Sequence, residues 1–311
     1  MTLLRVLFVL LIILVGESGG VSFLAQGLPG QPSHSLFDDV QIGIEPVAEG
    51  IFMLTGEGGN IGVSAGNDGV FLIDDQFAPL TDKIIESIAT ISSKPIKFLF
   101  NTHWHSDHTG GNENLGKAGV LIVAHDNVRI RMSTEQFQAY FNRVVLPSPD
   151  VALPVVTFSE AVTFHVNGEE IYAFQVPPAH TDGDSVIHFR KADVIHTGDL
   201  FTHGGYPFIG LSSGGTLDGM IRAANILLGI VGPETRIIPG HGPLAGLQEL
   251  KNYRNMLRTI RDRVKGMVDD EKTVDEVIRA KPTEEFDASH QGGFLTPEEF
   301  TRLAYDSVNR D

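Results

Sequence analysis

The sequence predicts an α/β chain in which sheets are covered by helices. Three observations carry that reading. Apolar runs of strand length recur along the chain, amphipathic helical stretches are interleaved with them, and His and Asp residues gather just after several of the apolar runs. A chain of 311 residues has room for one large domain with its own core and for a small additional module.

The N-terminus holds Arg5 and then an unbroken apolar run over residues 6–15, with small and polar residues from Gly16 onward. A positive start before an apolar stretch well short of the ~20 residues of a membrane span reads as a secretory signal peptide rather than an uncleaved anchor. It is assigned to residues 1–25, with cleavage after Gly20 or Ala25, and residues 26–38 form a flexible lead rich in Gly, Pro, Ser and Gln. The mature protein is thus expected in the periplasm, free of the membrane once the signal is removed.

Strands are expected over 50–54 and 61–65, joined by Gly56-Glu57-Gly58-Gly59-Asn60, and over 70–73, closing on Asp74 and Asp75. The Gly-rich connection reads as a plain turn rather than a flap, because its small residues give a substrate little to grip. Residues 79–92 are helical, with Leu80, Ile84, Ile85, Ile88 and Ile91 spaced along one face, and Pro95 stops the helix. Strands follow over 96–100 and 120–123. Residues 133–154 break this rhythm with Phe137, Tyr140, Phe141 and three prolines, and read either as a lid or as a plug at the edge of the core.

The next stretch is strand-rich: 155–158, 162–165, the hairpin turn Asn167-Gly168, 171–176, 186–189 and 194–195. A helix over 217–231 has Thr216 as its N-cap, and a last strand spans 236–238. Beyond it Leu250, Tyr253, Leu257, Ile260 and Val264 form a helical stripe, with weaker helices over 273–280 and 297–308. This tail is expected to pack on the sheets or on a second copy of the chain, as in a homodimer.

A formal net charge of −16 and the lack of any basic run exclude a nucleic-acid backbone as partner, so a small molecule is the expected one. There is no cysteine, which removes disulfides and thiolate metal ligands alike.

The chemistry concentrates in residues 98–112, FLFNTHWHSDHTGGN, where His103, His105, Asp107 and His108 fall within six residues after a strand-like run. Crowding such side chains is unfavourable unless a cation sits among them, and imidazole and carboxylate suit zinc first, then iron and manganese. A solvated polar loop would explain one histidine, but three further ligand types recur in matching settings: His180 in PPAHTDGDS, Asp199 in IHTGDLF and His241 in IPGHGP. Asp74 ends a strand as a carboxylate orienting a ligand histidine does, though a turn role fits it equally. His196, His188, His125 and His165 read as ordinary structural histidines.

In this order the seven residues resemble the ligand pattern of the metallo-β-lactamase superfamily, over roughly residues 39–250. The resemblance implies a four-layer αββα sandwich over 39–250, with residues 251–311 as a helical C-terminal extension. It implies two Zn²⁺ per chain. His103, His105 and His180 would hold the first, Asp107, His108 and His241 the second, and Asp199 would bridge them. Asp107 would also be catalytic, orienting the attacking hydroxide and passing its proton to the leaving group. His203 and Tyr206, just beyond Asp199, fall where the family places the substrate floor.

For substrate the departures matter more than the matches. Members that cleave β-lactams with a cysteine ligand have a thiolate in place of Asp199 and a lysine three residues on, where this chain has Thr202. An aspartate at that position is common in thioesterases similar to glyoxalase II and in lactonases. Export favours the β-lactam amide, which is the reading adopted here, with lactone or thioester hydrolysis as the alternative. Mononuclear iron sulfur dioxygenases of the same superfamily represent another reaction class, disfavoured because the full ligand set for two ions is present.

Overall fold

A computed structural model describes residues 37–290 and 292–310. The expected signal segment and nearly all of the lead lie outside the described residues. The described residues form one compact unit that includes the tail. Among the described residues no helix is long and apolar enough to cross a membrane.

Fourteen strands and nine α-helices are described. The first sheet contains β1 (Gly43–Ala48), β2 (Ile51–Thr55), β3 (Ile61–Gly66), β4 (Gly69–Ile73), β5 (Ile96–Asn101) and β6 (Leu121–His125). A small hairpin of β7 (Gln136–Gln138) and β8 (Arg143–Val145) intervenes, and β9 (Val156–Phe158) then joins the edge of the first sheet beside β6. The second sheet orders β10 (Ala161–Val166), β11 (Glu169–Gln175), β12 (Ser185–Phe189), β13 (Val194–His196) and β14 (Arg236–Ile238). Neighbours from β1 to β4 and from β10 to β13 are antiparallel, and the remaining pairs within these two sheets are parallel. The helices are α1 (Thr81–Ile91), α2 (Ser106–Thr109), α3 (Asn112–Lys117), α4 (Asp126–Met132), α5 (Leu217–Leu228), α6 (Leu247–Asp269), α7 (Val274–Arg279), α8 (Glu284–Asp287) and α9 (Pro297–Val308).

The alternation of side chains along each strand builds the layers. In β4, Phe71 and Ile73 face the second sheet and meet Ile187, Phe189 and Ile238 in the central core. Val70 and Leu72 point the other way, onto Leu80, Ile84 and Ile88 at α1. On the far face of the second sheet Val186, Ile195 and Ile237 pack against α5, α6 and α9. The result is the four-layer αββα sandwich, with the C-terminal helices completing the outer layer.

Local details agree with the sequence signals. Asn167 and Gly168 both have positive φ, 55° and 75°, as a two-residue turn between antiparallel strands requires. The Thr216 hydroxyl accepts from Gly219 N at 2.9 Å and caps α5. The stripe from Leu250 to Val264 on α6 is buried throughout. Two expectations need amending. Ile85 faces solvent, because α1 is buried along the narrower row of Leu80, Ile84 and Ile88. Residues 133–154 divide their roles: Ala152 and Leu153 are buried, Leu153 against Trp104, Val128 and Met132, while β7 and β8 carry an exposed tip at Tyr140 and Phe141.

Candidate metal centre

All the sequence-predicted ligands lie at the ends of strands, on one edge of the sandwich. β5 ends at Asn101 and feeds the loop of His103 and His105, and α2 then presents Asp107 and His108. β11 leads to His180, β13 to Asp199 and β14 to His241. Their donor atoms form two groups, His103–His105–His180–Asp199 and Asp107–His108–Asp199–His241, and within each group all atoms lie within 4.8 Å of one another. His180 Nε2 is 2.8 Å from His105 Nδ1, and His108 Nε2 is 3.4 Å from His241 Nε2. Asp199 reaches both sides: Oδ2 is 3.9 Å from His103 Nε2 and 3.4 Å from His180 Nε2, while Oδ1 is 3.1 Å from His108 Nε2 and 3.4 Å from His241 Nε2.

The surroundings aim these rings. Asp74, at a φ of 60° just past β4, accepts from Thr102 N (2.8 Å) and Thr102 Oγ1 (2.7 Å) and from His108 Nδ1 (2.7 Å). His180 Nδ1 donates to the Phe208 carbonyl at 2.8 Å. With those nitrogens engaged, the opposite nitrogens, Nε2 of His108 and of His180, face the cluster. His103 Nδ1 lies 3.0 Å from Thr102 Oγ1, which leaves its Nε2 facing inward.

Charge separates the two groups. Burial, reinforced by the neighbouring His108, holds His103 well below the ordinary histidine pKa, and burial likewise takes His105 down to about 3. Burial would lower His241 too, but the Asp199 and Asp107 carboxylates outweigh it and raise it to about 10. His108 is raised by the same carboxylates and Asp74 against the effect of burial. Reciprocally, Asp199 and Asp107 are held below the usual carboxylate range by these histidines, although burial alone would raise them.

The residues fit divalent cations. His103 Nε2 is buried without a hydrogen-bond partner, the condition of an atom directed at an ion. Two glycines keep the space clear: a Cβ on Gly59 would run into the His108 ring, and one on Gly240 into Asp199 Oδ1. The chemistry of the set, imidazole nitrogens and carboxylate oxygens, is that of zinc and its first-row neighbours.

Several positioning residues gave no clear signal in the sequence. Asn60 Nδ2 donates to the carbonyls of Pro239 (2.9 Å) and Gly242 (2.8 Å), tying the β2–β3 connection to the loop that carries His241. That Gly-rich connection is packed rather than free, since Gly59 N donates to Asp107 O at 3.0 Å. Asp184, buried and pushed up to about 6 by that burial, accepts from His180 N (2.7 Å) and Thr181 N (2.8 Å). Its position four residues after His180 is the spacing of a loop that folds back on its own carboxylate.

Tyr206 is a correction. It is buried away from the ligands, its hydroxyl donates to Asp287 Oδ1 at 2.7 Å, and its ring stacks on His290 and Phe300. The tail covers the position that the sequence assigned to the substrate floor. His203 stays at the rim, half-buried, with Nδ1 donating to the Pro243 carbonyl at 2.9 Å. A recess of about 880 Å³ opens at the other end of the strands, among Gly50, Asn67, Asn167 and Lys191, and none of the ligands lines it.

Back-to-back sheets with two His/Asp clusters joined by one carboxylate are the build of a metal-dependent hydrolase. Residues 54–241 match the family model of the metallo-beta-lactamase superfamily, and the chain belongs to that superfamily. The fold is similar to the crystal structure of the DIM-1 metallo-beta-lactamase, at 21% identity and a TM-score of 0.56, covering 71% of this chain and 99% of that one. A metallo-beta-lactamase from Pontibacter korlensis is similar at 21% identity and a TM-score of 0.57, over 70% and 99% of the two chains. TMB-1 is similar at 15% identity and a TM-score of 0.55, over 70% and 97%.

Proposed function

We propose that the protein is an exported di-zinc hydrolase that opens a carbonyl substrate, with the cyclic amide of a β-lactam as the first candidate. The observation that carries this reading is the double reach of Asp199, whose two oxygens face separate groups of histidines. A single-ion site of the oxygenase kind has no use for Asp107, His108 and His241 gathered on the second oxygen. His103, His105, His180 and Asp199 would hold one ion, and Asp107, His108, Asp199 and His241 the other. Such a pair supplies a water acidified to near neutral pH and polarises the carbonyl under attack.

The chain's own groups do the rest. Asp107 is the ligand carboxylate with more access to solvent, its side chain 28% exposed against 10% for Asp199. Its Oδ2 lies 3.3 Å from His241 Nε2 and 3.5 Å from His108 Nε2. From there it orients the attacking water, accepts its proton and returns it to the leaving atom. His203, whose backbone N donates to His241 O at 2.9 Å, is the proposed substrate contact.

The β-lactam reading is supported by the fold shared with proteins described as metallo-beta-lactamases. Asp199 itself favours the second reading, a lactone or thioester. The test is turnover of zinc-loaded protein on a chromogenic cephalosporin, a lactone and a glutathione thioester, together with metal content. Two zincs and rapid cephalosporin turnover support the proposal. One iron per chain, or full turnover after chelation, would defeat it.

A further inference from the structure

Beside the first ligand group the rim is aromatic. Phe208, whose carbonyl holds His180, has its ring centroid 5.9 Å from that of His105 and 6.0 Å from that of His180. Tyr140 and Phe141, at the tip of the β7–β8 hairpin, rest on Phe208 at 5.3 and 5.6 Å. Phe294 of the tail completes the set, 6.0 Å from Phe141, 6.3 Å from Tyr140 and 6.4 Å from Phe208. The rings remain open to water, with Tyr140 37%, Phe141 40% and Phe294 66% exposed. A cluster of exposed rings contributes little to the core, and apolar surface of this kind at a site marks binding.

The cluster is held in place. Tyr140 lies next to Glu299; burial and that nearby charge raise the tyrosine pKa, and Glu299 also closes the capping box at the start of α9. Arg131 pairs with both oxygens of Asp182, two residues from His180, at 2.6 and 2.7 Å. The same guanidinium reaches Gln136 of β7 at 2.9 Å. The tail is pressed onto the loop that carries Phe208, since a Cβ on Gly205 would meet Gly293 Cα at 2.8 Å. Three separate segments therefore present rings at one side of the ligands, and one of them, the tail, lies beyond the family match that ends at residue 241.

We propose that Tyr140, Phe141, Phe208 and Phe294 form a wall that binds an apolar aryl or alkyl group of the substrate. The proposal rests on the hydrolase reading and narrows its substrate class to carbonyl compounds bearing an apolar substituent of several carbons.

The test is calorimetric titration of the zinc-loaded full chain with sodium octanoate and with sodium acetate, which share a carboxylate and differ in apolar length. Octanoate is expected to bind at least about tenfold more tightly than acetate. F294A and F141A should each remove about three- to tenfold of that preference while acetate affinity and zinc content stay as in the parent. Phe294 is mostly exposed, so F294A tests the wall even if F141A disturbs the hairpin. Equal binding of the two acids, or a preference unchanged in F294A, overturns the wall. Absence of turnover on every carbonyl substrate would instead defeat the hydrolase reading, with the octanoate preference left standing.

Discussion

On one side of Asp199 lie His103, His105 and His180, all buried, with His103 and His105 held neutral by that burial. On the other lie Asp107, His108 and His241, where a second carboxylate and more open side chains (28% for Asp107, 35% for His241) change the electrostatics. In the closed group His103 and His105 are thus neutral imidazoles, the form a metal requires. In the open group the Asp199 and Asp107 carboxylates outweigh burial and raise His108 and His241 above the ordinary histidine value. The comparison teaches that one carboxylate can face two differently built groups, one closed and the other more open to solvent.

Asp199→Ala should collapse the contrast, because it removes the residue common to both groups. Elemental analysis should find metal lost from each, with turnover down by more than about 10³-fold. His241→Ala should sharpen it: metal content falls from two to one and turnover drops about 10²-fold, while the buried group keeps its ion. Retention of two ions in that variant would contradict the partition. Stepwise chelation of the parent protein should remove the ion of the open group first.

Changes to the supporting residues are expected to act on one side each. Asp74→Asn leaves His108 Nδ1 with a neutral partner and should weaken the open group about 10–100-fold in metal affinity, read by competition with a chelating dye. Asp184→Asn loosens the backbone of His180 and should weaken the buried group within the same range. The smallest effect is expected from Arg131→Ala. Its ion pair with Asp182 is only partly buried (17% and 26% exposed side chains), so thermal unfolding should register about 1 kcal/mol or less.

The convergence of the seven His and Asp side chains was legible because each follows an apolar strand run and must emerge at a strand end, so sequence order mapped directly onto one edge of the sandwich. Asp74 was half-legible: a carboxylate at such an end is visible, but its bond to His108 is not. Asn60 and Asp184 left no trace in pattern, since they satisfy backbone groups of loops whose paths depend on the whole fold. β1 escaped because it is an edge strand, mostly exposed and containing Pro46, with no alternation to read. Tyr206 was misplaced for a tertiary reason. Nothing near it in sequence announces that Asp287, His290 and Phe300 will enclose it.

Gly59 and Gly240 have a consequence for how this protein can change over generations. Since any Cβ at either position would strike His108 or Asp199, the floor of the reaction chamber is closed to variation, and a single methyl there would act as a built-in blocker. The hairpin tip and Phe294, by contrast, are exposed, and side chains of other sizes meet no such wall there. Adaptation to new compounds is therefore channelled outward, to the rim, while the chemistry beneath it stays as it is.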